Sequence, residues 1–309
     1  MPIVNTGVPI TSELNQRYLQ QIAEKYPFTK LEEVGVTDFQ RPIWMLTIGT
    51  GKRHVLFTAA HHANEWITAL VLLKYAEDLA DAIQKGGILF GQRAKEMADA
   101  VMIHIIPLVN PDGVDLVTGA MAPESAQYQL ARELAQKYPS IPFPEGWKAN
   151  LLGVDLNLNY PAGWLQAREI KFAQGYTSPG PRDYVGRAPL DQMETRALAE
   201  LTEKLDPDLV LAYHSQGKEI YWQFRDYEVP GAKELGEVMA RVSGYALADT
   251  PYESSFAGYK DWFIQNFRRP GYTVEVGSGE NPLPISQFPE IYRDNVPLLN
   301  IAALGVATS

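Results

Sequence analysis

Apolar runs alternate along this chain with segments in which apolar residues have helical spacing. Runs typical of buried strands cover residues 41–48, 54–60, 101–109, 208–214 and 272–276. Apolar positions three and four residues apart predict helices over 12–26, 66–83 and 289–306. This alternation predicts an α/β fold in which a mixed, largely parallel twisted sheet carries helices on both faces.

Residues 118–191 interrupt the pattern, because Pro, Gly, Tyr and Trp are frequent and neither periodicity persists. Aromatic side chains such as Trp147, Tyr160 and Trp164 would be costly to leave in solvent. We therefore interpret this long irregular segment as the wall of an active site rather than as a linker.

Polar side chains occupy the ends of four predicted strands. His62 and Glu65 follow the second strand directly, Asn110 follows the third, His214 ends the fourth and Glu275 lies within the fifth. Ligands of open α/β sheets bind beyond the carboxyl ends of the strands, so we expect these side chains to meet in one crevice.

The spacing of His62 and Glu65 suits a metal ion. An imidazole and a carboxylate three residues apart can bind one divalent cation, and one distant His would leave a tetrahedral zinc an open position for water. His214 could instead be a hydrogen-bonded core residue, as an isolated strand His often is, but a second His at a neighbouring strand end favours the ligand interpretation.

Glu275 stands in the apolar run Tyr-Thr-Val-Glu-Val. A carboxylate is expensive to bury unless it is paired, protonated or beside a metal. Such surroundings raise a carboxyl pKa, which suits a general base that acts on water.

Composition narrows the range of partners. The 309 residues are 46% apolar and carry a formal charge of −10. No basic run offsets repulsion from phosphate, so we expect neither a nucleic-acid partner nor an anionic membrane partner. Cysteine is absent, which excludes disulfides, thiolate zinc sites and a thiol nucleophile. No sequence feature points to a particular oligomeric state.

The start of the chain lacks the basic and apolar regions of a signal peptide, and no apolar stretch approaches the roughly 18 residues of a membrane span. We therefore expect a cytoplasmic protein, although a longer, secreted precursor would have the same mature sequence.

The order of these motifs resembles that of the zinc carboxypeptidases of the carboxypeptidase A type. The resemblance covers more than 200 residues, and its motifs are His62-x-x-Glu65, Asn110-Pro-Asp-Gly, Gly153-Val-Asp-Leu-Asn157, His214-Ser215 and Thr273-x-Glu275. It implies one zinc ion held by His62, Glu65 and His214. It also implies a water activated by that zinc, with Glu275 as its general base.

The resemblance also implies a substrate pocket. It places Asn157, Leu158 and Ser215 there and aligns Tyr252 with the mobile tyrosine of the family, provided that one residue is inserted after it. Tyr259 is the competing candidate for that role, and either tyrosine could instead be a packed aromatic.

Two positions depart from the carboxypeptidase pattern. Leu158 stands where the family has an arginine that binds the substrate's terminal carboxylate, and a leucine cannot make that contact. Lys148 stands where the family has an arginine that stabilises the oxyanion. Lys148 keeps the positive charge but lacks the planar guanidinium that can make two parallel hydrogen bonds, and we expect it to be catalytic. The alternative is that Lys148 is a solvated surface lysine.

With these departures the chain resembles the bacterial γ-D-glutamyl-L-diamino-acid endopeptidase branch. The resemblance implies a small peptide substrate, a muropeptide, cut between γ-D-glutamate and meso-diaminopimelate. Arg225 and Arg187 are candidates to bind a substrate carboxylate, although each could equally be a surface salt-bridge partner.

Other functions remain compatible with the sequence. A zinc carboxypeptidase, or an amidase or deacylase acting on another amide, would use the same ligands, and a binding module could keep the pocket without the chemistry. In each case we expect one domain over residues 1–309, without the LysM repeats that members of the branch can carry.

Overall fold

A mixed sheet of eight strands forms the centre of the described chain in the computed structural model, which describes residues 2–305. The strands of the described chain are β1 (Lys30–Val36), β2 (Pro42–Ile48), β3 (Arg53–Ala59), β4 (Ile88–Leu89), β5 (Gln92–Arg93), β6 (Val101–Ile106), β7 (Leu209–Ser215), β8 (Glu219–Tyr221), β9 (Ala246–Ala248) and β10 (Gly271–Val276). The sheet has the order β1-β2-β6-β3-β7-β10-β8-β9, and β4 pairs with β5 in a separate hairpin.

Helices connect most of these strands. They are α1 (Ser12–Lys25), α2 (Ile67–Lys85), α3 (Ala94–Ala100), α4 (Pro111–Val117), α5 (Ala126–Ala135), α6 (Trp164–Ala173), α7 (Met193–Leu205), α8 (Ala232–Ser243), α9 (Tyr259–Phe267) and α10 (Phe288–Gly305). In the described part of the chain no helix combines the length and apolar character needed to cross a bilayer.

The five predicted strands and three predicted helices are confirmed, with ends that differ by three residues or fewer. The last residue of the predicted closing helix, Val306, lies outside the described residues, as does Met1. The prediction for 118–191 was wrong in part. Two helices, α5 and α6, lie within that segment, because short amphipathic stretches survive between its Pro- and Gly-rich turns.

The central strands β6, β3, β7 and β10 run parallel to one another. Strand β2 pairs antiparallel with β1 and β6, and β8 pairs antiparallel with β10 and parallel with β9. Side chains of one strand point alternately to the two faces, so Leu211 and Tyr213 of β7 enter one core and Val210 and Ala212 the other. Helices α1, α2, α8 and α10 cover the first core, and α7 and α9 cover the second. The expected sheet with helices on both faces is confirmed.

The parallel register brings three strand ends together. In the β7–β10 pair, His214 lies beside Glu275, and in the β3–β7 pair Ala59 lies beside Tyr213. The residues that follow β3 therefore lie next to the end of β7 and one strand away from β10.

Candidate metal centre and substrate cleft

The segment between β3 and α2 is held in a fixed shape that presents His62 and Glu65. Ala60 adopts a positive φ of 51°, and its N–H donates to Thr68 Oγ1 at 3.1 Å. The Thr68 hydroxyl in turn donates to the Glu65 carbonyl at 2.7 Å. A 3-10 turn, Ala63–Glu65, follows and places His62 and Glu65 on the same side of the chain.

Three potential ligand atoms converge at the strand ends. His62 Nδ1 lies 2.9 Å from Glu65 Oε1, His214 Nδ1 lies 3.0 Å from Glu65 Oε2, and the two Nδ1 atoms are 3.1 Å apart. All three side chains are buried, and they form the one group of three or more potential ligands found among residues 2–305. The structure thus brings together the three residues predicted to hold the metal.

The donor set fits zinc. Ligand atoms about 2.1 Å from a tetrahedral zinc lie roughly 3.4 Å apart, which is close to the spacing of the three atoms here. Two imidazole lone pairs and a carboxylate repel one another at this separation unless a cation lies between them. Two imidazoles with one carboxylate are also the protein ligands of several catalytic zinc sites, which leave a fourth position for water.

Asp155 orients one of the ligands. Its Oδ1 atom lies 3.1 Å from His62 Nε2, which fixes the tautomer that leaves the Nδ1 lone pair for a metal. Burial would raise the pKa of Asp155, but Lys148 and His62 hold it well below its usual range. The carboxylate therefore stays charged and strengthens the basicity of the ring.

Electrostatics around the ligands favour a bound cation. Burial lowers the pKa of His214, so its ring is neutral and its lone pair is available. Burial opposes ionisation of Glu65 as well, yet His62 and His214 hold the pKa of Glu65 well below its ordinary value. Against burial, Glu65 raises the pKa of His62, so a metal and a proton compete for the same ring nitrogen.

Glu275 faces the cleft from β10. Among the described residues its carboxylate has no hydrogen-bond partner, and its lone pairs are free for a ligand. Burial raises the pKa of Glu275 to about 8, with the nearby Glu65 charge adding to the effect. This is the environment expected for a general base.

Lys148 enters the cleft from the segment between α5 and α6. Its Nζ atom lies 3.7 Å from Asp155 Oδ2, and its side chain is 21% exposed. Burial opposes its charge, but Asp155 and Asp183 raise the pKa of Lys148 above its ordinary value. The interpretation of Lys148 as a solvated surface residue is therefore wrong, because the side chain lines the cleft as an ammonium.

The cleft has two lobes that meet at the metal centre. We define the narrow lobe, a cavity of about 180 Å³, as the one that reaches Lys260 and Asp261. We define the wide lobe, about 710 Å³, as the one that reaches Ile141 and Asn281. Five residues line both lobes: His62, Lys148, Tyr221, Ser254 and Glu275.

Three of the residues predicted to bind substrate line the cleft. Asn157 and Leu158 lie in a 3-10 turn, Leu156–Leu158, on the wall of the narrow lobe. Ser215 lines the wide lobe, where its N–H donates to Glu65 Oε2 at 3.2 Å and its hydroxyl to Asn281 Oδ1 at 2.7 Å. Ser215 therefore also positions a metal ligand.

The other predicted contacts lie elsewhere. Tyr252 is 71% exposed and, with Arg225, lines a separate cavity outside both lobes. The Arg225 guanidinium stacks on Phe224 and Phe256. Arg187 does not line either lobe. The prediction that Arg225 binds substrate is not supported by this placement, because aromatic packing holds its side chain away from the metal centre.

Tyr259, the alternative to Tyr252, is a packed aromatic. It is fully buried, its hydroxyl lies 2.8 Å from Thr202 Oγ1, and its ring contacts those of His61 and Tyr160. The Asn157 side chain accepts its backbone N–H at 3.0 Å, which ties α9 to the cleft wall.

Asn110 has a structural role. Its side chain donates to the carbonyls of His61 and Ala149 at 3.1 and 3.0 Å and caps α4 by accepting the Gly113 N–H. A Cβ on Gly113 would lie 2.8 Å from the Ala149 carbonyl oxygen, so this position requires glycine. The motif holds together the loops that carry His62 and Lys148.

Several cleft residues were not predicted from the sequence. Tyr221 lines both lobes, Arg182 lines the wide lobe, and Lys171 and Lys260 line the narrow lobe. Lysines within apolar helical stretches give a weak signal, since most such residues extend their charge to solvent.

Comparison with known proteins agrees with this architecture. A family model described as zinc carboxypeptidase matches residues 15–298. Gamma-D-glutamyl-L-diamino acid endopeptidase 1 of Lysinibacillus sphaericus is 42% identical over 277 residues, which are 89% of this chain and 67% of the relative.

Solved structures share the fold. Bovine thrombin-activatable fibrinolysis inhibitor, in complex with tick carboxypeptidase inhibitor, matches with a TM-score of 0.75 and 16% identity over 98% of this chain and 99% of the other. Murein-tripeptide amidase from Escherichia coli O157 matches with a TM-score of 0.54 and 19% identity over 87% and 91%. At these identities the similarity concerns the fold alone.

Proposed function

The chain belongs to the zinc carboxypeptidase family and is a zinc metallopeptidase, and from this we propose that it hydrolyses the bond between γ-D-glutamate and meso-diaminopimelate in cell-wall peptides. The observation that carries the proposal is the cleft, which extends on both sides of the metal centre and has Leu158 in its wall. A peptide can therefore continue past the scissile bond in both directions, and no arginine clamps a terminal carboxylate at this position. The named activity of the Lysinibacillus sphaericus relative supports the same bond.

The charges of the wide lobe support this substrate. Lys148 and Arg182 line it, as do Glu145 and Glu280. An L-alanyl-γ-D-glutamyl group carries a terminal ammonium and a free α-carboxylate. The α-carboxylate is free because the glutamate is linked to the next residue through its side chain. The cationic side chains of the wide lobe can pair with the carboxylate, and its anionic side chains can pair with the ammonium.

Zinc, when bound by His62, Glu65 and His214, supplies Lewis-acid polarisation of the scissile carbonyl and of the attacking water. Glu275 accepts the proton of that water on its carboxylate and delivers it to the leaving nitrogen. Its free lone pairs and its position beside His214 in the sheet suit this role.

Lys148 stabilises the charge that develops on the carbonyl oxygen. Its ammonium lines both lobes, so it lies next to the point where the scissile bond must cross from one lobe to the other. Asp155 holds the Lys148 ammonium and the His62 ring in place before substrate binds, which reduces the reorganisation needed during the reaction.

The test is mass spectrometry of products from L-alanyl-γ-D-glutamyl-meso-diaminopimelate incubated with the zinc-loaded protein. We expect free meso-diaminopimelate and L-alanyl-D-glutamate, and a chelator should abolish both. N-acyl amino acids and ordinary dipeptides serve as comparison substrates. Absence of cleavage of the tripeptide, or faster cleavage of those comparison substrates, would overturn the proposal.

A further inference from the structure

The wide lobe is lined by an arginine whose backbone is tied to the metal centre. Arg182 lines this lobe together with Lys148. The carbonyl of Pro181, the preceding residue, accepts the Lys148 N–H at 2.7 Å. Asp183, the following residue, donates its N–H to Asp155 Oδ2 at 3.3 Å. Because Asp155 also orients a predicted metal ligand, the backbone of Arg182 has a fixed place relative to the metal centre.

The Arg182 guanidinium has donors that the protein does not use. Its Nε atom donates to Asp183 Oδ2 at 2.6 Å, which fixes one edge of the planar group. Among the described residues the Nη1 and Nη2 atoms of Arg182 have no hydrogen-bond or ion-pair partner, and 43% of the side chain is exposed. Two such nitrogens match the two oxygens of a carboxylate, which they bind through parallel hydrogen bonds.

The ion pairs around Arg182 leave one positive charge in excess. Three cationic side chains share two carboxylates, and they are Lys148, Lys171 and Arg182 with Asp155 and Asp183. Burial would raise the pKa of both carboxyls, but the nearby cations hold each pKa below its ordinary value, so both carboxylates are charged. Asp183 divides its charge between Lys171 at 2.8 Å and Arg182 at 2.6 Å. An anion in the wide lobe would neutralise the remaining charge.

The acidic side chains of the wide lobe do not supply this anion. Glu145 and Glu280 line the lobe and are exposed, and in the described part of the chain neither forms an ion pair with Arg182. Exposed carboxylates keep their hydration and gain little from a cation that they do not contact. The anionic partner of Arg182 is therefore expected to come from a ligand.

The proposed substrate has a carboxylate in the corresponding place. In a γ-linked glutamate, three carbon atoms separate the scissile carbonyl from the free α-carboxylate. With that carbonyl at the metal centre and the leaving diamino acid in the narrow lobe, the α-carboxylate lies in the wide lobe. Lys148 acts on the scissile carbonyl oxygen in the proposed reaction, which leaves Arg182 as the cation for the carboxylate.

We propose that Arg182 binds the free α-carboxylate of the γ-linked D-glutamate through Nη1 and Nη2. This inference rests on the proposed function, since it requires the glutamyl group to occupy the wide lobe. It makes Arg182 the residue that separates γ-D-glutamyl peptides from γ-D-isoglutaminyl peptides, in which the same carboxylate is amidated.

The first experiment changes only the substrate. Three peptides that end in meso-diaminopimelate are compared with the zinc-loaded protein: L-alanyl-γ-D-glutamyl, the same peptide with the glutamate α-carboxyl amidated, and an analogue with 4-aminobutyrate in place of D-glutamate. We expect each change to lower kcat/KM by about 30-fold, because the Arg182 guanidinium then has no anionic partner.

The second experiment changes the protein. Arg182→Gln removes the charge and should lower kcat/KM for the glutamyl peptide to the level of the amidated peptide. The same variant should change the other two peptides by less than about threefold. Arg182→Lys keeps the charge without the paired donors and should keep part of the preference for the free carboxylate. The matched control is Arg93→Gln, an exposed position on β5 whose substitution should leave all three values unchanged.

The outcomes separate this inference from the proposed function. Equal cleavage of the three peptides by the wild-type protein would overturn the role of Arg182 and leave the proposed bond intact. An equal loss on all three peptides in Arg182→Gln, or loss of folding in both Arg182 variants, would show that the side chain is structural. Full discrimination in a folded Arg182→Gln would assign the carboxylate to another cation. Cleavage of none of the peptides by the wild-type protein would overturn both proposals.

Discussion

At the scale of single residues, the three predicted metal ligands are distinct from the carboxylate proposed as the general base. His62, Glu65 and His214 lie within hydrogen-bond distance of one another, whereas the Glu275 carboxylate makes no hydrogen bond to any of them among the described residues. The ligands can therefore keep the metal when Glu275 is changed, which makes its role testable in isolation.

We expect Glu275→Gln to lower kcat by about 10³-fold with little change in KM, because an amide cannot accept a proton from water. Zinc content, measured by atomic absorption, should stay at one ion per chain. The matched control is Glu96→Gln, an exposed carboxylate on α3 that should leave kcat unchanged. Undiminished turnover in Glu275→Gln would show that another residue is the base.

At the scale of elements, a buried carboxyl links α7 to the loop that carries Lys148. The Glu194 side chain lies in the first turn of α7, 2% exposed, with both oxygens 3.4 Å from Asn150 Nδ2. Burial raises the pKa of Glu194 from 4.5 to about 7. The folded protein thus holds a proton there that the unfolded chain releases at lower pH.

This shift predicts a pH dependence of stability. The contribution of Glu194 is fully present below pH 4.5 and is lost as the pH rises through 7, a change of about 3 kcal/mol. In Glu194→Gln that loss should be absent. Urea unfolding at pH 5 and pH 8 should show wild-type stability falling more steeply than that of the variant. Parallel pH profiles for the two proteins would contradict the assignment.

At the scale of the whole molecule, the predicted metal ligands come from parts of the chain that are far apart in sequence. His62 follows β3, and His214 lies 152 positions later on β7. A cation bound by both stabilises the folded state, because the unfolded chain does not hold the three ligand atoms together.

Removal of zinc should therefore lower thermal stability. With free zinc at about 1,000 times its Kd, linkage predicts a loss of about 4 kcal/mol, which for a chain of this length is roughly 6 °C in Tm. Scanning calorimetry before and after chelation measures the shift, and added zinc should restore it. An unchanged Tm in protein shown to be free of metal would mean that the ligands are held by the fold alone.

The sequence predicted much of this molecule where local pattern and chemistry coincide. His62 follows the apolar run of β3, and His214 and Glu275 lie near the ends of the apolar runs of β7 and β10. These polar positions were predictable because the three apolar runs form the centre of the sheet. The order of strands was not predictable, since alternation does not state which strands are neighbours, and β6 lies between β2 and β3.

The substrate pocket was less predictable for a related reason. Tyr252 and Arg225 lie in connecting segments whose paths depend on loop packing, and both line a separate cavity. Lys260 lies in the first turn of α9, and its burial arises from the way Gln223 and Asp261 surround it in space. The periodicity of the sequence does not predict contacts of this kind between distant segments.

The pairing of β10 with β7 has a consequence for biosynthesis. During synthesis His62, Glu65 and His214 leave the ribosome before Glu275 does. Strand β10 can join the sheet only after its last residue, Val276, has emerged. A nascent chain can therefore acquire its metal ligands while it is still without a base. Hydrolytic competence therefore appears only after Val276 has left the ribosome, later than the capacity to bind the metal.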